Sequence, residues 1–399
     1  MDKNTITLSN KLTLSWKKLS TKTVTILITI FTGSNYEQRT ERGISHLLEH
    51  VVFEGTQNFP NSTAISHPIE SVGGEINAAT GKNETMFYAK VPKNFASIAA
   101  NILYEIVSSP LCEKHAIQKE KNIVCHEIDL YNDDPKLYQW LDFEKHHFQK
   151  HPAKKPIAGT KSSVKNITQN QLRTYFQKNY VGQRMHVSVV GNISNNVISQ
   201  IQQLFSNIPK GTKQTKIPTE ISQKNVLYQK QSPVLQTYFI QGFSVPSLSQ
   251  KDQCIADIIE ALLSKGQTGW LFEECRVKRS LAYDVRAFHE KEQTGSYFAS
   301  QIITEEKYIK DVQEILKELY DRIRNVSEKD VEDAKTYVSG RYAIEQENPV
   351  LVAQDLMEHA MLYDKPIEEV LLHITYKDVQ RFAHTYLKNF TTSIITPKK

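Results

Sequence analysis

The sequence is short of cysteine, of long apolar runs and of excess charge, and each shortage narrows the class of protein. Only four of its 399 residues are cysteines, and none forms a C-x-x-C pair. The chain therefore offers no disulfide framework, and a reducing cytoplasm is the expected location. No apolar stretch approaches the length of a membrane-spanning helix. The net charge is only +5, which gives no indication of nucleic-acid binding.

The N-terminal sequence and the length of the chain both agree with a soluble enzyme. The first six residues lack the basic start and apolar core of a signal peptide and the arginines of a transit peptide. This again favours the cytoplasm. A chain of 399 residues with 39% hydrophobic content can bury large cores, and its length indicates two domains.

The most informative segment is the pentapeptide His46-Leu-Leu-Glu49-His50. Positions i, i+3 and i+4 are neighbours on a helix, so His46 and His50 can bind one cation while Glu49 lies beside it. The pattern is that of a zinc peptidase in reversed order. An apolar stripe predicts the helix and would bury its other side; it consists of Ile44, Leu47, Leu48, Val51 and Val52. Two histidines one turn apart also occur as hydrogen-bonding partners on a helix surface, so the motif needs a third ligand.

A second predicted helix, residues 116–131, supplies that candidate. It carries Glu120 and Glu127, seven residues apart and therefore on one face. Glu127 follows His50 with 76 residues between them. A catalytic zinc ion usually has three protein ligands and keeps its fourth position for water.

H-x-x-E-H followed by a glutamate, with 76 residues between them, resembles peptidase family M16, the inverted-motif zinc metallopeptidases. The resemblance spans nearly the whole chain and is strongest to the short two-domain subfamily, with the mitochondrial processing peptidase subunits and bacterial M16B peptidases. It implies that His46, His50 and Glu127 bind one Zn²⁺ per chain. It also implies that Glu49 is the general base and that Glu120 orients a ligand histidine.

A glycine-rich segment, residues 73–80, resembles the substrate strand of the same family. In such a strand a peptide adds itself to an exposed sheet edge through main-chain hydrogen bonds. On its own the segment also fits an ordinary Gly-Gly turn that leads into a strand. The residues that the resemblance assigns to substrate binding are Gly74, Asn77, Ala78, Ala79 and Thr80.

Far downstream, Arg276 and Tyr283 resemble the second substrate-holding motif of the family, in which the arginine and the tyrosine reach the scissile region. Their seven-residue spacing fits. Two positions depart from the family pattern: Ser280 stands where glycine is common, and Trp270 stands where a small or charged residue is usual. These departures concern the shape of the loop.

The second half of the chain repeats the plan of the first. Residues 257–266 align without a gap with residues 46–55, and both segments end at a glycine. The repeat is longer than 200 residues, which indicates duplicated domains. Asp257 and Ala261 replace His46 and His50, and Arg341 aligns with Glu127. The second copy therefore lacks the zinc ligands.

These observations predict an α+β fold of two homologous domains, each a largely antiparallel sheet covered by helices, of the LuxS/M16 metallopeptidase-like type. We predict an N-terminal domain with the zinc site at residues 1–207 and a linker at 208–233, which is rich in Lys, Gln, Thr and Pro. The C-terminal domain, residues 234–399, lacks zinc ligands and carries the Arg/Tyr loop.

The resemblance implies a zinc metalloendopeptidase that cleaves short or unfolded peptides inside a closed dimeric chamber, either in degradation or as a processing or leader peptidase. Because related chains of twice this length bring the Arg/Tyr loop from another domain, it also implies a homodimer, or a heterodimer with a related M16 subunit. The alternative is a non-catalytic partner subunit. Intact His46, Glu49, His50 and Glu127 favour the enzyme, since a scaffold would be free to lose any of them.

Overall fold

A computed structural model describes residues 3–221, 225–245, 249–291, 295–363 and 365–398. These residues form eleven strands: β1 (Lys3–Thr7), β2 (Thr13–Lys18), β3 (Thr23–Ile30), β4 (Glu75–Thr80), β5 (Thr85–Pro92), β6 (Met185–Gly191), β7 (Val226–Ser232), β8 (Thr237–Ser244), β9 (Ala282–Glu290), β10 (Tyr297–Thr304) and β11 (Phe390–Pro397).

They also form fifteen α-helices, besides short 3-10 and π-helical turns: α1 (Ile44–Val51), α2 (Ser62–Glu70), α3 (Ala96–Ser108), α4 (Lys114–Asp133), α5 (Pro135–His147), α6 (Lys161–Asn166), α7 (Gln169–Asn179), α8 (Asn195–Phe205), α9 (Gln250–Ser264), α10 (Trp270–Phe272), α11 (Ile309–Arg324), α12 (Glu328–Glu345), α13 (Pro349–Met361), α14 (Ile367–Leu372) and α15 (Tyr376–Tyr386). None of these described helices is both long and apolar enough to cross a membrane.

The chain divides into two compact units, and neither unit is continuous in sequence. Unit 1 consists of Met1–Asp129, Pro156–Lys216 and Glu345–Tyr363. Unit 2 consists of Leu130–Lys155, Ile217–Ile344 and Asp364–Lys399. Each unit thus contains one segment that the sequence places in the other half.

Unit 1 contains a six-stranded sheet in the order β1-β2-β6-β3-β5-β4. The β2–β6 pair is parallel and the other pairs are antiparallel. One face packs on a core to which α1, α3 and α8 contribute, and Ile26, Ile28 and Phe87 are fully buried there. Strand β4 ends the sheet, so one of its edges has no strand partner among the described residues. Helix α1 packs beside that edge strand.

Unit 2 contains a five-stranded sheet in the order β7-β11-β8-β10-β9. Its β7–β11 pair is parallel and the remaining pairs are antiparallel. Apart from β1, the strand order repeats that of unit 1, and α9 packs against the edge strand β9 as α1 packs against β4. The predicted fold of two homologous domains, each with a largely antiparallel sheet and helices, is confirmed.

Two equivalent helices are exchanged between the sequence halves. Helix α5 follows the first half of the chain but packs on β8 and β11 of unit 2, whereas α13 comes from the second half and packs on β3 and β6 of unit 1. Both helices begin with a capping side chain before a proline, Asp134 for α5 and Asn348 for α13. Under α13, Val352 and Leu356 lie against Leu27 and Val190.

The sheet of unit 2 also takes a strand from the segment predicted as a linker. Residues 208–233 include β7, which pairs in parallel with β11. Its side chains alternate between half-buried and exposed, and Leu227 is 63% exposed. An edge strand held by backbone bonds needs no apolar periodicity, which is why the sequence pattern did not reveal it. The predicted domain boundaries stay a prediction.

Candidate metal centre

The metal-binding motif lies on α1, and a buried carboxylate fixes the start of that helix. Gly43 precedes α1 with φ of +89°, and a Cβ there would lie 2.6 Å from the carbonyl oxygen of Ala158, so glycine is required. Glu37 accepts hydrogen bonds from the backbone N–H groups of Gly43 and Ser45, both at 2.9 Å. Burial raises the pKa of the Glu37 carboxyl to about 7, although these backbone bonds oppose the shift. Sequence reasoning missed Glu37, because nothing in the spacing of residue 37 from the motif marks a cap.

The structure brings His46, His50 and Glu127 together. Their candidate ligand atoms all lie within 4.8 Å of one another. The Nε2 atoms of His46 and His50 are each 3.6 Å from Oε2 of Glu127. The apolar side of α1 is buried, while the side chains of the two histidines keep 14% and 18% exposure. The side chains of His46 and His50 therefore lie on the side of α1 that faces away from the core and toward Glu127 on α4.

The donor set and its spacing fit a zinc ion. Two imidazoles and a carboxylate are the ligands of many catalytic zinc sites, and two atoms each about 2.0–2.1 Å from a tetrahedral ion lie about 3.4 Å apart. The observed 3.6 Å separations are close to that value and too long for hydrogen bonds. Nδ1 of His46 is buried and has no hydrogen-bond partner among the described residues.

Glu120 holds the second histidine. Nδ1 of His50 lies 3.1 Å from Oε2 of Glu120, so Nε2 of the same ring faces Glu127. Glu120 is 5% exposed. Lys119 lies 3.6 Å from the other oxygen of Glu120 and donates to both oxygens of Glu54 at 2.8 and 2.9 Å. This geometry fits the ligand-orienting role that the resemblance implies for Glu120.

The surroundings of the two histidines shift their pKa values in opposite directions. Burial, together with the neighbouring His50, lowers the pKa of His46 to about 4. For His50 burial also acts downward, but the hydrogen bond to Glu120 and the charges of Glu127 and Glu49 outweigh it and raise the pKa. A neutral imidazole is the form that binds metal, and His46 is held in that form at neutral pH.

Glu49 points beside the cluster and is bonded to the edge strand. Its Oε2 accepts a hydrogen bond of 2.5 Å from the hydroxyl of Thr80. Burial raises the pKa of the Glu49 carboxyl, although the bond from Thr80 works against the shift. The sequence pointed to Thr80 as a substrate-strand residue and did not reveal this contact.

The other predicted substrate residues lie on or just before β4. Gly74 precedes the strand, and a Cβ there would lie 2.8 Å from a methyl group of Val91. Asn77 and Ala79 are exposed, whereas Ala78 is half-buried against the core. The backbone N–H of Ala78 donates to Oδ1 of its neighbour Asn77 at 2.8 Å.

Arg276 and Tyr283 lie together in unit 2. Tyr283 is 76% exposed at the start of β9, and its ring centroid is 5.2 Å from the guanidinium carbon of Arg276. Arg276 also donates to the carbonyl oxygen of Tyr283 at 3.3 Å. The arginine belongs to a π-helical turn, Glu273–Lys278. Ser280 takes φ of +50°, the left-handed region that glycine prefers, so the backbone keeps a conformation that suits the glycine common at this position.

The equivalent place in unit 2 is filled by ion pairs. Asp257 pairs with Lys291 at 2.8 Å, and Ala261 offers no ligand. Glu260, which aligns with Glu49, lies 3.2 Å from Arg341, the residue aligned with Glu127. Arginine and lysine supply the positive charge there.

Two family models match the chain. Residues 12–161 match a model described as Insulinase (Peptidase family M16), and residues 166–338 match one described as Peptidase M16 inactive domain. The first contains the His46, His50 and Glu127 cluster, and the second contains the ion-paired counterpart.

Several known proteins are similar over most of their length. An uncharacterized zinc protease of Bacillus subtilis is 24% identical over 94% of this chain and 93% of its own. The mitochondrial-processing peptidase subunit beta of Saccharomyces cerevisiae is 25% identical over 97% of this chain and 89% of its own. The crystal structure of a protease from Helicobacter pylori superposes with a TM-score of 0.91 at 21% identity, covering 99% of this chain and all of that one. With both domain models matched in order, the chain belongs to peptidase family M16.

Proposed function

We propose that the chain is a zinc-dependent endopeptidase that hydrolyses short or unfolded peptides and binds one zinc ion. The observation that carries the proposal is the cluster of His46, His50 and Glu127 with the carboxylate of Glu49 beside it. Relatives named as zinc proteases support the same metal. A non-catalytic subunit would not need this complete set of groups.

The side chains divide the chemistry among them. Zinc, held by His46, His50 and Glu127, would supply the Lewis acidity that activates water and polarises the scissile carbonyl. Glu49 accepts the proton of the attacking water and delivers it to the leaving amine. Its raised pKa suits a group that must both accept and release a proton. A donor from Arg276 or Tyr283 would then stabilise the oxyanion.

The free edge of β4 is the proposed binding surface for the peptide. An extended substrate would add to this edge as a further strand, with its carbonyl groups near the Gly74 to Thr80 backbone. The side-chain oxygen of Asn77 accepts a hydrogen bond from the backbone N–H of Ala78. A carbonyl group of the bound peptide would replace that oxygen as the acceptor. Because a folded protein has already paired its own backbone, the proposal favours short or unfolded substrates.

We also propose that a second subunit completes the site. Arg276 and Tyr283 belong to the unit without the ligand cluster, and both sit in an exposed segment. A second copy of the chain, or a related subunit, would bring them to the metal and close a chamber around the peptide. The relative named as a processing-peptidase subunit supports association, and a leader peptide is one substrate class to offer. A cytoplasmic location stays a proposal, consistent with four buried, free cysteines.

The decisive experiment compares three variants for zinc content by atomic absorption and for cleavage of a quenched fluorescent peptide. His50→Ala should lose the metal and the activity, because it removes a ligand. Glu49→Gln should keep one zinc per chain and lose at least about a hundredfold in kcat, because it removes only the base. Glu260→Gln makes the same change at the aligned position of unit 2 and should retain activity. Wild-type cleavage by Glu49→Gln would contradict the proposal.

A further inference from the structure

Resting on the proposed function, we infer that Thr80 is the positioning residue of the general base: its hydroxyl holds the Glu49 carboxylate and links it to the strand that binds the substrate. The contact joins two elements that the sequence separates. Thr80 is the last residue of β4, and Glu49 lies in the middle of α1. The distance between Oγ1 of Thr80 and Oε2 of Glu49 is 2.5 Å, which is short for a bond to a carboxylate oxygen.

The register of the strand makes this contact a fixed one. Side chains alternate along β4, so Thr80 lies on the same face as Ile76 and Ala78. Those two side chains pack against the core that α1 shares, and Thr80 pairs with Thr85 in the β4–β5 hairpin. The Cα atom of Thr80 therefore stays beside Glu49 as long as the strand keeps its register, and the χ1 rotamer of Thr80 directs the hydroxyl to the carboxylate. A peptide added to β4 would bind to the same rigid strand that orients the base.

The chemistry of the donor matters as much as its place. A base must keep its negative charge until it takes a proton, and a hydroxyl can orient a carboxylate without neutralising it. Unit 2 shows the contrast. There the edge strand β9 reaches Glu260 through the backbone N–H of His289, 3.1 Å from Oε2, while Arg341 pairs with Oε1 at 3.2 Å.

The two units thus share a helix carboxylate bonded to the edge strand. In unit 2 a cation compensates its charge, whereas in unit 1 two neutral donors of Thr80, its hydroxyl and its backbone N–H, hold it. A guanidinium within ion-pair distance stabilises the charged carboxylate and weakens it as a base. The hydroxyl of Thr80 orients the Glu49 carboxylate without adding a positive charge, so the carboxylate can still accept a proton. A neutral donor in unit 1 and a cation in unit 2 are the difference expected if only unit 1 is catalytic.

The test is a set of kinetic measurements on the complete protein. Thr80→Val keeps the shape of the side chain and removes the hydroxyl. It should lower kcat about 10- to 100-fold, the loss expected when a reacting group is misplaced by a fraction of an ångström to 1 Å. KM should stay within about twofold, because the backbone edge of β4 is unchanged, and zinc content should stay at that of wild type.

Thr80→Ser restores the hydroxyl and should recover kcat to within about threefold of wild type. The control is Thr85→Val, which removes the hydroxyl opposite in the hairpin, where Oγ1 donates to the carbonyl oxygen of Thr32 at 3.0 Å; its kcat should not change. If Thr80 acts through Glu49, adding Thr80→Val to Glu49→Gln should cost nothing further.

Two outcomes would overturn the inference: Thr80→Val with wild-type kcat, or Thr80→Ser as impaired as Thr80→Val, which would assign the effect to packing. Failure of the proposed function would look different. In that case the wild-type chain would not cleave the peptide, or Glu49→Gln would cleave it as well as wild type does.

Discussion

Replacing Glu120 by glutamine should weaken zinc binding while leaving all three ligands in place. The substitution preserves the size of the side chain and an oxygen able to accept from Nδ1 of His50, now 3.1 Å away. It removes the negative charge that makes this bond charge-assisted and that favours donation from Nδ1. The contact is buried, since the Glu120 side chain is 6% exposed, so water cannot substitute for the lost charge.

Loss of such a ligand-orienting partner typically weakens metal affinity 10- to 100-fold, which is about 1.4–2.8 kcal/mol. Because glutamine still accepts a hydrogen bond, we expect Glu120→Gln near the lower value. Glu120→Ala removes the acceptor altogether and should approach the upper value. The zinc Kd, measured by competition with a chromophoric chelator at pH 7.5, gives both numbers directly.

The chain offers a matched control. Glu113 lies 3.1 Å from Nδ1 of His115, the same distance as in the Glu120 pair, but the two side chains are 52% and 80% exposed. Glu113→Gln should leave the zinc Kd unchanged, because exposed pairs of this kind contribute little. A Kd for Glu120→Gln within twofold of wild type would refute the reasoning, as would equal effects of the two glutamine variants.

Two further predictions concern pH and assembly. Burial lowers the pKa of His186 to about 3, below its unfolded value of about 6.5, so the wild-type chain loses stability as the pH falls below about 6.5. His186→Gln removes this titrating group. Between pH 7.0 and 5.5 the free energy of unfolding, measured by urea titration, should therefore fall by about 1.3 kcal/mol less for the variant than for wild type. Equal losses would show that His186 takes up its proton in the folded chain. Mixing inactive Glu49→Gln and Tyr283→Phe chains should restore part of the peptidase activity if subunits share sites, whereas a homodimer by sedimentation that never regains activity would show that each chain completes its own site.

The sequence predicted which residues form the ligand cluster, because the prediction depends on spacings along the chain, one within a single helix and one of a fixed number of residues. The i, i+3, i+4 spacing predicts which side chains share a face of α1, and the 76-residue interval led to Glu127. The structure brings those side chains within ligand distance of one another. The contact between Thr80 and Glu49 could not be predicted in this way, because it depends on the register of β4 against α1, and neither periodicity specifies that register.

The same limit applies to the fold. Helical spacing predicted α1 and α4, and the internal repeat predicted two homologous domains. The sequence before Pro135 and Pro349 marks the starts of α5 and α13, but a helix cap carries no information about which sheet the helix will cover. Strand β7 was hidden for a related reason, since an edge strand bonded through its backbone leaves little trace in hydropathy.

The exchange of α5 and α13 has a consequence for biosynthesis. During translation the sheet of unit 1 is complete once β6 has left the ribosome, yet Leu27 and Val190 stay uncovered until α13 is made more than 150 residues later. Helix α5 waits in turn for β11, near the end of the chain. Each sheet therefore stays without one of its covering helices until residues of both halves of the chain have been made, and a gene cut between the halves would separate each sheet from that helix.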